Sequence, residues 1–399
     1  MEIKPVSVKV RLKVKTPMAV GTGRSYSLFD YVVKEEKLLL IDFKKLIEKL
    51  KTAGRLREFK GLLKNFTPFD LIKLQRFYYQ NVGFDEAKAV LSLKPSVATH
   101  FRKKFEKLGE LLRSGRRGDY LREQGVFEVR EVAKNPLNGE PFLPGSTLKG
   151  AIRTSLLNYL VKTGVIDKER FVRELLNAFR EVGLEWPGVY SRKELGKFNF
   201  KRLREIFNQI DSHLLCEFSV DVGSSDFGRD LMRFVKVSDL SPSGEVSTSV
   251  GRPERKSRDG KESSFGFVEF VEPGALFEGT VTIYPEFVRK FMKCPLEIDS
   301  RLIVKALRSE YSKILHWEKD FFGKNPLPFT RKEMELYKSQ GSPLAPVKLG
   351  FGAGALSKTL SDAPELRVVG NSYTGIRPEP VSISLMEDRP MGWCLLEVG

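Results

Sequence analysis

Residues 6–15 read VSVKVRLKVK, ten positions in strict alternation. Val6, Val8, Val10, Leu12 and Val14 fall on one side of an extended chain. Ser7, Lys9, Arg11, Lys13 and Lys15 fall on the other. A period of two fits a strand with one buried face and does not fit a helix. The chain therefore has to supply a sheet and an apolar layer to cover it. The open face carries four cations in a row, about 7 Å apart, near the spacing of successive phosphates along one strand of nucleic acid. The same row suits a solvated strand whose lysines block edge pairing.

The pattern then changes along the chain. TPMAVGTGRS is a Gly-rich turn, and YVVKEEKLLLIDF reads as a hairpin with Glu35 and Glu36 near its turn. From Phe43 to about Arg122 the apolar period is helical, which predicts a helical insertion over 43–122. GVFEVREV returns to strand. A helix is predicted from near Thr147, two more over KERFVRELLNAFREVG and FKRLREIFNQI, and a fourth over roughly 300–319. Strands are predicted over LLCEFSVDV, over MRFVKVSDL, on both sides of 272–275, and over GWCLLEV. The stretch 241–264 has almost no apolar content and predicts a mobile loop. Strand, Gly-rich turn and helix recur in both halves. This suggests two related α+β units, 1–210 and 211–399.

Composition narrows the partners. The chain has 68 basic and 51 acidic residues, a net charge of +17, and is 41% hydrophobic. It can bury a sizeable core, and its charge excess points first to nucleic acid and second to an anionic membrane surface. Cys216, Cys294 and Cys394 lie far apart with no CxxC pair, and His100, His213 and His316 are the only histidines. Neither a zinc site nor a disulfide framework is implied, and reduced thiols in a cytoplasmic protein are expected. No run of roughly 18 apolar residues spans a membrane, and the first residues lack the apolar core of a signal peptide.

Two glycine-bearing motifs hold the candidate binding chemistry. In FLPGSTLKGAIRTSLLNYL, Gly145 and Gly150 have the spacing of a P-loop, but Ala151 and Ile152 stand where Lys and Ser/Thr are required. A nucleotide-hydrolysing loop is excluded on that ground. Leu148, Ile152, Leu156 and Leu160 make an apolar stripe, with Ser146 or Thr147 able to cap the helix. Lys149 and Arg153 form a cationic stripe on its first turns, where they oppose the helix macrodipole unless an anion is present. A phosphate on the Gly145–Thr147 amides, held by both side chains, satisfies all these groups together. The second motif, LGFGAGAL, formally fits a dinucleotide fingerprint through Gly350, Gly352 and Ala355. Pro343, Pro346 and Pro364 give it the wrong context. It reads better as backbone that approaches a phosphate or another chain segment closely, flanked by Lys348 and Lys358.

Together these pieces resemble the RAMP superfamily of CRISPR proteins, with PGS-x-LKG-x-IR the specific motif and the TPMAVGTG turn and GFGAG loop in support. Chain length, LFDYVV and VKVSDLSPS narrow the resemblance to the subunit that ends the backbone of type III-A (Csm) complexes. The resemblance implies an α+β fold of two ferredoxin-like (RRM-like) units carrying the helical insertion. It implies a crRNA-binding, backbone-capping subunit that supports maturation of the crRNA 3′ end and needs no cofactor or metal. The implied partners are crRNA, other Csm subunits, target RNA indirectly and a recruited host nuclease. Gly145, Ser146, Thr147, Lys149 and Arg153 would hold crRNA phosphates. Gly21, Gly23 and Arg24 would form a neighbouring wall, and Gly350, Gly352, Gly354 and Lys358 a close approach. The rival readings are an endoribonuclease and a terminal subunit of a type III-B complex. For the first, Asp30 sits inside the hairpin segment, and none of the three histidines adjoins a Gly-rich turn.

Overall fold

The opening strand, Val6–Val14, is enclosed on both sides. It pairs antiparallel with Leu276–Ile283 and with Trp393–Val398. Leu344–Lys348 extends this sheet beyond Trp393–Val398. Val235–Val237 and Ser241–Pro242 extend it beyond Leu276–Ile283. The computed structural model describes residues 4–124, 127–215, 217–218, 229–293, 296–322 and 328–399.

The alternation of the opening strand sets what covers the sheet. Val10, Leu12 and Val14 are buried, whereas Lys9, Arg11 and Lys13 are exposed. Against the apolar side pack the helices Gly145–Lys162 and Ser300–Phe322, through Leu148, Ile152 and Leu156 of the first and Ile303, Leu307 and Ile314 of the second. In chain order the unit runs strand, helix, strand, strand, helix, strand, with Leu344–Lys348 added at one edge.

A second, seven-stranded sheet has the order Gly21–Tyr26, Val129–Val132, Phe267–Val271, Thr248–Gly251, Ala87–Leu93, Lys37–Ile41, Tyr31–Lys34. It has its own core with the helices Phe43–Thr52, Leu56–Leu63, Leu71–Asn81 and Pro95–Arg113. Its hairpin over 31–41 turns on Glu35 and Glu36, both left-handed at φ 46° and 58°, as a tight two-residue hairpin requires. The chain passes between the sheets at 15–20 and again at 272–275.

Three sequence expectations change here. The insertion over 43–122 is not wholly helical. Ala87–Leu93 is a strand, antiparallel to Lys37–Ile41 and parallel to Thr248–Gly251. Its small residues Ala87 and Ala89 carry little periodic signal, and its partners are supplied by the tertiary fold. The segment 241–264 is not a loop. Thr248–Gly251 enters the second sheet with Val250 fully buried, and Glu254–Ser257 and Glu262–Ser264 form a hairpin against Ser382–Met386. Backbone ladder bonds satisfy its polar chain without an apolar pattern. Both sheets also take strands from either side of residue 210, so a division there would sever both. Of the strand expected over 214–222, Glu217–Phe218 pairs with Met292–Lys293, while Cys216 and 219–222 lie outside the described residues, as does Cys294. Cys394 is a buried free thiol.

Within the helix Ser300–Phe322, Glu310 is buried. It accepts from the Ser361 hydroxyl, with Lys313 and Arg367 nearby. Burial pushes its carboxyl from 4.5 up to about 7, against the opposing pull of Ser361 and the two cations. The folded chain therefore holds this proton more tightly than the unfolded chain. That stabilisation is complete below about pH 4.5 and is lost as pH rises through about 7. Glu310→Gln is expected to remove this decline and to raise stability at pH 8, measured as urea midpoints across pH 4–9.

Candidate nucleic-acid interface

The helix Gly145–Lys162 begins where Leu143 pairs with Leu240 and Pro144 takes the capping position without a side-chain bond. Neither Ser146 nor Thr147 caps it. The anion that this helix start calls for is supplied by the protein: Asp239 Oδ1 accepts the Gly145 N–H at 2.8 Å. The Thr147 N–H donates to the Pro144 carbonyl at 2.9 Å, and Ser146 is exposed. A Cβ on Gly145 would collide with the carbonyls of Val237 and Ser238, so the helix start abuts the strand end.

The two cations of the stripe have different fates. Arg153 is clamped by Asp211 and by Asp230 Oδ2, the latter at 3.0 Å. It reads as a structural brace between the helix and the segments at 211 and 230. Lys149 is half-buried and has no ion-pair partner among the described residues. Burial holds its ammonium below the usual lysine range. Asp230 opposes that shift, and the positive charges of Arg153 and Lys236 add to it. Lys236, not Arg153, is the second cation near this helix start with no ion pair among the described residues. Lys236 lies in the VKVSDL strand, also within 5.2 Å of the Tyr284 ring, and its partnership with Lys149 left no local trace in the sequence.

The other glycine motifs meet each other. The Phe351 N–H donates to the Ala19 carbonyl at 2.6 Å, and the Gly392 N–H to Pro17 at 2.9 Å. Gly350 has φ 80°, and a Cβ there would strike the Ala19 carbonyl. Its close approach is thus to the chain's own turn at 16–20. Gly352 and Gly354 continue the loop, and Lys358 is exposed on the short turn Leu356–Lys358. Lys348 is buried against Glu318 and does not flank the loop as a free cation. Gly21, Gly23 and Arg24 lie on the exposed part of Gly21–Tyr26, beside Val129–Val132 and its exposed Arg130. Arg130 is a further cation that sequence reading missed, because only the pairing of two distant strands places it across from Ser25, the residue after Arg24.

The cationic row of the opening strand is partly neutralised. Arg11 pairs with Glu278 at 2.9 Å and Glu397 at 3.8 Å, and Lys15 with Glu333 at 2.7 Å. Lys9 and Lys13 remain exposed. Asp30 accepts from the backbone and hydroxyl of Ser27, both at 2.7 Å, and so closes a turn. His100 lies edge-on to Phe267 and His213 to Phe171, with burial lowering both pKa values, while His316 is exposed beside Asp320. Among the described residues no group of three His, Cys, Asp or Glu could hold a metal ion, and no helix is long and apolar enough to cross a membrane.

These features coincide with one protein class. The RAMP superfamily model matches residues 11–335, and the chain belongs to that superfamily. Its fold is similar to a chain in the cryo-EM structure of the Csm–crRNA–target RNA ternary complex of a type III-A CRISPR-Cas system. The TM-score is 0.62 at 21% identity, covering 98% of this chain and 100% of the other. It is also similar to the crystal structure of T. onnurineus Csm5, with a TM-score of 0.57 at 19% identity over 96% of this chain and 99% of that one. No curated protein matches the chain by sequence.

The unequal roles of the helix cations are measurable. Arg153→Ala leaves Asp211 and Asp230 without their shared partner and is expected to cost about 1–3 kcal/mol of folding stability. Lys149→Ala is expected to leave stability within about 0.5 kcal/mol. Chemical denaturation of the two variants separates the roles.

Proposed function

We propose that this protein is the RAMP subunit that binds crRNA and caps the backbone of a type III-A CRISPR Csm effector complex. The observation that carries the reading is the fold likeness to Csm subunits, which runs over nearly the whole of both chains in each comparison. The strand–helix–strand–strand–helix–strand tracing around the opening strand reads as one ferredoxin-like (RRM-like) unit, and the seven-stranded sheet with its helical cover as an elaborated second. The net charge of +17 supplies the long-range attraction for a polyanion. crRNA would run past Lys149 and Lys236 and along the exposed wall of Gly21, Gly23 and Arg24. Target RNA would be met only through the guide, neighbouring Csm subunits would complete the groove, and a recruited nuclease would trim the 3′ end.

The role is binding rather than cutting. Asp30 is occupied in a turn, and His100 and His213 sit against rings at lowered pKa. Among the described residues none of them is ion-paired with a second acid–base group of the kind that in-line attack on a phosphate would need.

The test is binding of a single-stranded crRNA by the full chain over a range of salt. Lys149→Glu combined with Lys236→Glu is expected to weaken binding and to reduce the slope of log K against log salt by about 1.4, for two lost phosphate contacts on a single strand. Labelled RNA should remain intact with and without magnesium. Unchanged affinity in the double variant, or clean turnover by the wild type, would contradict the reading. Co-purification with Csm partners tests the assembly role.

A further inference from the structure

Four side chains from four segments line up where the glycine loop meets the second sheet. The Arg130 guanidinium lies 5.1 Å from the centre of the Phe351 ring. The Phe351 and Phe265 rings meet edge to face, with centres 5.3 Å apart at 89°. The Arg255 guanidinium lies 4.6 Å from the centre of the Phe265 ring. Both arginines are exposed and both rings half-buried. Phe351 rests on a small apolar cluster of Ala19, Val268, Phe270, Met386 and Met391, which fixes its place.

Neither arginine is ion-paired with a described carboxylate. The residues across the ladder from Arg255 are Ser263 and Ser384, and those beside Arg130 are Ser25 and Val268. Elsewhere Arg11, Arg55, Arg116, Arg153 and Arg289 each have an acidic partner. Here the guanidinium groups have ring faces instead. A planar guanidinium backed by a ring turns its other face to solvent, and that face accepts a second flat π system. A bare phosphate needs no aromatic backing, whereas an unpaired nucleobase gains from it.

From this arrangement we infer that Arg130, Phe351, Phe265 and Arg255 form a stacking platform for unpaired bases of single-stranded RNA. The inference rests on the reading of the chain as an RNA-binding subunit and deepens it. The guide is gripped here through the faces of its bases as well as through its phosphates. Because every base has such a face, the platform adds affinity without a sequence preference.

The test compares the full chain's affinity for a single-stranded oligoribonucleotide and for an abasic oligomer of equal length, by anisotropy at several salt concentrations. The wild type is expected to favour the base-bearing strand by about tenfold or more. Phe265→Leu with Phe351→Leu keeps apolar bulk and removes the rings. This variant should lose the preference, bind the abasic strand as the wild type does, and keep the same salt slope. Arg130→Lys with Arg255→Lys keeps the rings and the charge but removes the planar groups, and should lose the preference too. A wild type that binds both strands equally, or leucine and lysine variants that keep the preference, overturns the platform while leaving phosphate binding in place. A wild type that binds neither strand overturns the platform and the RNA-binding reading together.

Discussion

Everything in this fold depends on the ladder around Val6–Val14. That strand lies between a strand from the middle of the chain and one from its end. Val10, Leu12 and Val14 lie at the centre of the apolar floor under the helices Gly145–Lys162 and Ser300–Phe322, with Phe277, Val281, Leu396 and Val398 of the strands on either side. The turn at 16–20 follows directly and is clamped between the glycine loop and the last strand. The Trp393 N–H donates to Thr16 Oγ1 at 2.9 Å, and the Phe351 N–H to Ala19. The glycine motifs that stand far apart in the sequence are thus neighbours because the opening strand is paired on both edges.

The start of the helix at Gly145 shows how one electrostatic demand can be met from two sources. Amides at a helix start, together with nearby cations, favour a negative charge. The protein meets the amide part itself with Asp239 and ties Arg153 to Asp211 and Asp230. Lys149 and Lys236 form no ion pair among the described residues, though Asp230 lies close enough to act on Lys149. The Gly145 amide is thus held by the protein's own carboxylate, and the bond does not depend on either lysine.

The parts of this arrangement that repeat locally were legible. The opening strand, the hairpin through Glu35 and Glu36, the helix after Gly145 and the final strand all follow from period, turn chemistry and apolar spacing. The parts set by distant partners were not. Ala87–Leu93 becomes a strand because Lys37–Ile41 and Thr248–Gly251 lie on either side of it. The polar run 254–264 becomes a hairpin because Ser382–Met386 offers it an edge. Arg153 looked like a ligand-holding cation because its acidic partners lie 58 and 77 residues further along the chain. Composition and spacing report what a side chain can do, and only tertiary pairing decides whether it is still free to do it.

The position of Trp393–Val398 beside Val6–Val14 has a bearing on biosynthesis. A ribosome makes Val6–Val14 long before its partner, so one of its edges stays bare until the distant strand Trp393–Val398 has been translated. During that interval the nascent chain carries an alternating Val/Leu/Lys ribbon able to pair with any free strand edge nearby. Its lysines and arginine act as guards during that wait, because repulsion between like-charged ribbons discourages two unfinished copies from zipping together.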